Sequence, residues 1–147
     1  MYRARERCIG GRLLLIEHYV APSQIHGLGV FSRNTVSKGA LVWIPHPVID
    51  REFAKHDLRD LPRHVVKLIE QHSEYLPDRN IFRLSADGCY FMNHSDQPNL
   101  RDEGDRMFAN RDIQSGEEIT CDYRITKVMS FDPDHLPAIE AKDRAIG

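Results

Sequence analysis

The sequence predicts a mostly β (β+α) single domain, with short strands in small sheets around one helical insert. Three observations carry that expectation. The apolar runs are short and each is stopped by Pro, Gly or Asp, as strands are. Only one stretch, Arg63 to Tyr75, repeats apolar residues three and four apart. The 147 residues suit one core, with no internal repeat and no low-complexity tract.

Leu13-Leu14-Leu15-Ile16-Glu17-His18-Tyr19-Val20 is a nearly continuous apolar run and reads as a buried strand, broken at Pro22-Ser23. Ile25 to Ser32 reads as a second strand, carrying Gly27 and Gly29. After the turn Ser37-Lys38-Gly39, Ala40 to Ile44 is a third, stopped by Pro45 and Pro47. Asp50 is then a candidate N-cap for a charged helical stretch. Pro62 suits the first position of a helix whose apolar stripe is Val65, Leu68, Ile69 and His72. Ile81 to Leu84 reads as a short strand. Residues 99–102 and 106–110 flank Glu103-Gly104-Asp105 as a hairpin. Glu118 to Tyr123 alternates, which puts Ile119, Cys121 and Tyr123 on one face. Residues 125–147 mix Met129, Phe131, Pro133 and Leu136 with charges and give no element.

Composition excludes several function classes. With 41% hydrophobic and 29% charged residues and a formal charge of −2, nothing calls for a membrane or for nucleic acid. The basic arm at residues 1–11, with Arg3, Arg5 and Arg7, reads as a solvated terminus. The run Leu13 to Ile16 is shorter than the roughly seven apolar residues of a signal-peptide core. Cys8, Cys89 and Cys121 lack paired spacing, which fits a reducing compartment and predicts no metal site. His56, His64 and His72 fall eight apart and drift about 80° around a helix per step, so they do not converge on a metal either. An intracellular, cytoplasmic location is expected. From Ser85 to Asp122 nine acids face three bases, a field that attracts basic peptides or simply solvates a hairpin.

Three segments hold the candidate chemistry: His26-Gly27-Leu28-Gly29-Val30-Phe31, Asn93-His94-Ser95-Asp96-Gln97-Pro98-Asn99, and Ser115 to Tyr123. Singly, the first reads as a bulge or a close backbone approach, because it lacks the third glycine of a dinucleotide fingerprint. The second reads as a polar turn closing the run Tyr90-Phe91-Met92, or as a pair awaiting a ligand's polar edge.

In this order the segments closely resemble the SET domain, a family of S-adenosylmethionine-dependent protein-lysine methyltransferases, over residues 12–124. Asn93 to Asn99 and Gly116-Glu117-Glu118-Ile119-Thr120-x-Asp122-Tyr123 are the specific matches. The resemblance implies a β-clip fold closed by a C-terminal pseudoknot. On that plan residues 1–11 form an arm, 12–50 an N-terminal β part and 51–80 a helical insert. Residues 81–124 form the C-terminal β part with the pseudoknot, and 125–147 a C-terminal segment. It further implies that His26, Gly27, Leu28 and Gly29 line the cofactor, that Asn93 and His94 hold it, and that Tyr123 orients the lysine amine. The substrate channel is assigned to Cys121, Phe91 and Phe131, and the partner to a protein or peptide with a lysine in a basic segment.

This chain departs from the family pattern at three places. Cys121 stands where many relatives carry Phe or Tyr, which leaves room for more than one methyl. Asn80 and Ile81 occupy the neighbourhood of a second pocket tyrosine, with Tyr75 a distant substitute. The cysteine-rich zinc segment of many relatives has no match in 125–147, so Phe131 or its neighbours are expected to close the channel; a second copy of the chain, as a homodimer, is the alternative. A catalytically idle SET-fold interaction module, and a β-rich domain without cofactor, are the competing readings.

Overall fold

The computed structural model describes residues 13–128. The N-terminal arm, Phe131 and most of the C-terminal segment lie outside the described residues. Among the described residues, ten short strands form four small sheets, accompanied by two α-helices. Strands β1 (His18–Pro22) and β2 (Leu28–Ser32) pair antiparallel, and Ala21 faces Gly29. Strand β3 (Leu41–Trp43) joins the hairpin β8 (Leu100–Asp102) and β9 (Met107–Ala109), in the order β3-β9-β8. Strands β4 (Asp50–Ala54), β5 (Ser73–Leu76) and β6 (Ile81–Ser85) make a sheet with β6 central. Strand β10 (Thr120–Cys121) runs parallel to β7 (Asn93–His94), with Thr120 opposite Asn93 and Cys121 opposite His94. A parallel two-residue ladder late in a short chain requires a long crossover, and it is the pairing on which the expected knot-like closure rests.

Two cores stabilise these sheets. Leu14, Val30, Val42, Trp43, Met92, Leu100, Ile113, Ile119 and Cys121 belong to the larger, against which Tyr123 packs. Leu58, Val66, Ile69, Tyr75 and Phe82 form the smaller, between the insert and β6. Residues 117–119 bind the two halves by lying along β2. Ser32 N–H donates to Glu117 O at 3.0 Å and Ile119 N–H to Val30 O at 2.8 Å.

The structure corrects several sequence expectations. The first apolar run is not one buried strand. Leu14 only bridges to Trp43, Leu15 is exposed, and β1 begins at His18 and is half-buried because only β2 pairs with it. Asp50 caps no helix: it opens β4, and its carboxylate accepts Ser85 Oγ at 2.8 Å. The charges of Asp50-Arg51-Glu52 sit on an edge strand, where Glu52 meets Arg79 through two bonds of 2.7 and 3.1 Å. Helix α1 (Arg63–His72) is present, with Pro62 one residue earlier than expected, at its N-cap. Its buried stripe is Val66 and Ile69, whereas Leu68 is exposed. After His72 the chain returns as β5, so residues 51–80 hold two strands as well as a helix. The last alternating run is strand only at Thr120–Cys121. Thr120 is buried along with Ile119 and Cys121, because β10 is covered on both faces, and Tyr123 opens a short helix α2 (Tyr123–Thr126).

Candidate active site

Asn93, 7% exposed, fastens three segments together. Its side-chain amide donates toward His26 O and Leu28 O, each at 3.1 Å, and toward Glu118 Oε1 at 2.8 Å. Glu118 also accepts Ser23 Oγ at 2.9 Å, and Ser23 Oγ in turn accepts the Ile25 and His26 amides. The loop before β2 is therefore closed on Glu118 by neutral-to-charged hydrogen bonds, the stronger kind.

The two glycines of this loop serve different purposes. Gly27 sits at φ +47°, where side chains are disfavoured, and a Cβ there would point into open space. At Gly29 a Cβ would run into the Glu118 carboxylate, which is held there by Ser23 and Asn93, so any side chain at this position would push Glu118 off those partners. Leu28 between them is an exposed large apolar residue, and Ile25, three residues earlier, is exposed too.

Asn99 aligns the facing segment. Buried at 1% exposure, it accepts the Thr120 amide at 2.9 Å and donates to Glu118 O at 2.7 Å. Those bonds hold β10 beside β7 and deliver Tyr123 to His94. Tyr123 N–H donates to His94 Nδ1 at 3.2 Å, and His94 Nε2 lies 3.1 Å from Asp96 Oδ1. With Nδ1 accepting, the ring proton is on Nε2 and points at the carboxylate. The Tyr123 hydroxyl donates to Met92 O at 2.5 Å. Burial, together with the neighbouring thiols and Glu118, pushes the Tyr123 phenol well above the ordinary tyrosine range. It therefore stays protonated and acts as a hydrogen-bond donor.

Tyr123 and Cys121 line a cleft of about 540 Å³, counted with its open mouth, together with Trp43, His72, Ser73, Glu74, Arg83, Cys89, Tyr90 and Met92. Asp87 positions one wall: its carboxylate accepts Leu14 N–H at 2.8 Å and Cys89 N–H at 3.0 Å, capping the 3₁₀ turn Gly88–Phe91. Tyr90 stacks on His72 with ring centroids 4.1 Å apart. Burial raises the Cys121 and Cys89 thiols far above their usual range, so both are neutral and inert. On the floor, Arg83 binds Glu74 Oε2 through Nη2 at 2.8 Å and Nε at 3.1 Å. Burial nevertheless outweighs Arg83 and pushes the Glu74 carboxyl up to about 7.

The predicted residues are thus distributed unevenly. His26, Leu28, Gly29, Asn93, His94 and Tyr123 meet in one network, and Cys121 lies in the cleft. Phe91 is not among the cleft residues; it stands edge-on to Tyr90 at 5.0 Å, and Tyr90 takes the lining position. Tyr75 is buried in the smaller core with its hydroxyl donated to Asn80 Oδ1 at 2.7 Å. Sequence reasoning missed Trp43, Ser73, Glu74 and Arg83. No local signal marks Glu74: Ser73-Glu74-Tyr75-Leu76 does not alternate in polarity, and it alternates in burial only once β5 pairs with β6. Among the described residues, no group of three or more His, Cys, Asp or Glu is arranged to hold a metal ion. No helix among them is long and apolar enough to cross a membrane.

Residues 27–124 match the family model of the SET domain. The chain belongs to the SET-domain family. It is 28% identical over 141 residues to a Schizosaccharomyces pombe protein, "Histone-lysine N-methyltransferase, H3 lysine-4 specific". That match covers 82% of this chain but 14% of the relative. Two solved structures share the fold. One is a candidate histone methyltransferase of Plasmodium falciparum, with a TM-score of 0.52 and 23% identity, covering 74% of this chain and 93% of that one. The other is a humanized mutant of the Chaetomium thermophilum Polycomb Repressive Complex 2 bound to an inhibitor. It gives a TM-score of 0.55 at 16% identity, covering 84% of this chain and 16% of that one. Both confirm the SET architecture of short strands in small sheets.

Proposed function

We propose that this chain is an S-adenosylmethionine-dependent protein-lysine methyltransferase acting through Tyr123. One observation supports this most: the Tyr123 hydroxyl is fixed on Met92 O in the cleft that holds Cys121, while its backbone is tied to His94 beside Asn93. The residues fit the cofactor. Gly27 has open space on its Cβ side, Leu28 offers an exposed apolar surface, and the acids Glu118, Asp122 and Asp96 suit a cation. S-adenosylmethionine, when bound, supplies a methyl group activated on a sulfonium. His26 to Gly29, Asn93 and His94 would hold it. Tyr123, kept neutral, would orient the amine by hydrogen bonding and by position. The apolar walls of Trp43, Met92 and Cys121 would exclude water, which disfavours the ammonium form of lysine. With Cys121 rather than an aromatic residue beside the amine, di- or trimethylation is the expected product.

The substrate is a lysine within a basic segment of an intracellular protein, drawn to the acidic surface from Ser85 to Asp122. Histone H3 is the first to try, given the substrate that the fission-yeast relative is named for. Mass spectrometry of H3 peptide incubated with S-adenosylmethionine tests the reading. Methyl-lysine formed by the wild type and abolished in Tyr123→Phe supports it. A second reading, an idle interaction module, is favoured by Asn80 and by the Tyr75 hydroxyl being spent on it. A folded wild type that binds peptide but never transfers methyl would establish that one.

A further inference from the structure

The floor of the cleft holds more polar chemistry than Tyr123 needs. Trp43 Nε1 and Ser73 Oγ, on residues 3% and 0% exposed, have no hydrogen-bond partner among the described residues. Native proteins retain few such atoms, and of these two Ser73 Oγ can accept from a donor that enters the cleft, whereas Trp43 Nε1–H is itself a donor. Glu74 lines the same cleft. Both of its bonds to Arg83 end on Oε2, which leaves Oε1 for another donor. Among the other ionisable groups there, His72 is the one other base, stacked on Tyr90 and made weaker than an ordinary imidazole by burial, while burial keeps the Tyr90 phenol protonated. Tyr123 is neutral and already donates to Met92 O; Cys89 and Cys121 are neutral thiols without the charge to attract a cation; Arg83 is a cation.

We propose that Glu74 receives the substrate lysine, its carboxylate binding the ε-ammonium and taking one proton from it, with Ser73 Oγ as a second acceptor. In this step an N–H bond of the ammonium breaks and an O–H bond forms on Glu74, leaving a neutral amine with a free lone pair. The proton then leaves to water through a second cleft, which Glu74 and Arg83 also line. Asp102, Asp105 and Lys127 also line that cleft. The two aspartates favour protonated Glu74, whereas Arg83 opposes it. A carboxyl that titrates near neutrality is matched to accepting and releasing a proton at working pH. Glu74 would thereby serve where the family's second tyrosine is missing.

The inference rests on the methyltransferase reading, and two experiments separate them. The first needs no turnover: carboxyl ¹³C NMR follows the Glu74 titration in the whole chain, with n-butylammonium as the probe and 1-butanol as its uncharged control. A midpoint lowered by n-butylammonium and unmoved by butanol is expected; an unmoved midpoint with both overturns the proposal, whether or not the enzyme turns over. The second compares kcat against pH for wild type and Glu74→Gln. The variant should lose kcat about a hundredfold and lose the limb near neutrality, while S-adenosylmethionine binding is unchanged. A folded Glu74→Gln with wild-type kcat and profile also overturns it. A wild type that neither binds cofactor nor transfers methyl would instead sink the methyltransferase reading and leave the NMR result to decide.

Discussion

Asn93, Gly29 and Glu118 are only intelligible together. The amide of Asn93 and the carboxylate of Glu118 close the loop before β2, and Gly29 is small because the carboxylate lies where a Cβ would go. In Gly29→Ala, Glu118 must move off Ser23 and Asn93, so stability should fall by about 1–3 kcal/mol in urea melts. Tyr123→Phe removes one hydrogen bond and should cost only about 1 kcal/mol of stability. Methyl transfer should drop by about a hundredfold or more, read by product mass spectrometry. Asn93, His94 and Tyr123 were legible in the sequence because their order and spacing carry a family pattern. Glu74 was not. It reaches the cleft only because β5 places it opposite Arg83 on β6, a register that no local signal announces.

At the scale of elements, the parallel pair β7–β10 is two residues long and depends on side chains for its alignment. Asn99 supplies them. Asn99→Ala would leave the Thr120 amide and Glu118 carbonyl unpaired in a buried site, at a cost of about 2–4 kcal/mol. A lowered thermal midpoint and faster exchange of the Thr120 amide would check this. The sequence revealed β2, β3, β6 and the β8–β9 hairpin through their turn residues. It concealed β4 and β5. Their charged residues Arg51, Glu52 and Glu74 stand next to a true helix in sequence, so charge density imitates a helical surface while tertiary pairing with β6 decides the outcome. Phe82→Ala at the centre of that sheet should lose about 3–5 kcal/mol, since Phe82 is fully buried in the smaller core.

The whole molecule carries its site on the larger core and one wall of its cleft on the sheet of the smaller. Glu74 stands on that wall and should couple stability to pH. Its carboxyl titrates near 7 in the folded chain, against 4.5 for an unperturbed glutamate, so the folded state holds the proton more tightly than the unfolded one. The stability it adds is full below about 4.5 and is lost as pH rises through about 7. Urea midpoints should fall between those values in the wild type by more than in Glu74→Gln; equal slopes would contradict that assignment. The central claim, that the network around Asn93 is a cofactor site, is tested most directly by calorimetric titration with S-adenosylmethionine. The wild type should give saturable binding at one site per chain, strongly weakened in a folded Asn93→Ala. A folded wild type with no saturable heat, or an Asn93→Ala that binds equally well, would contradict it.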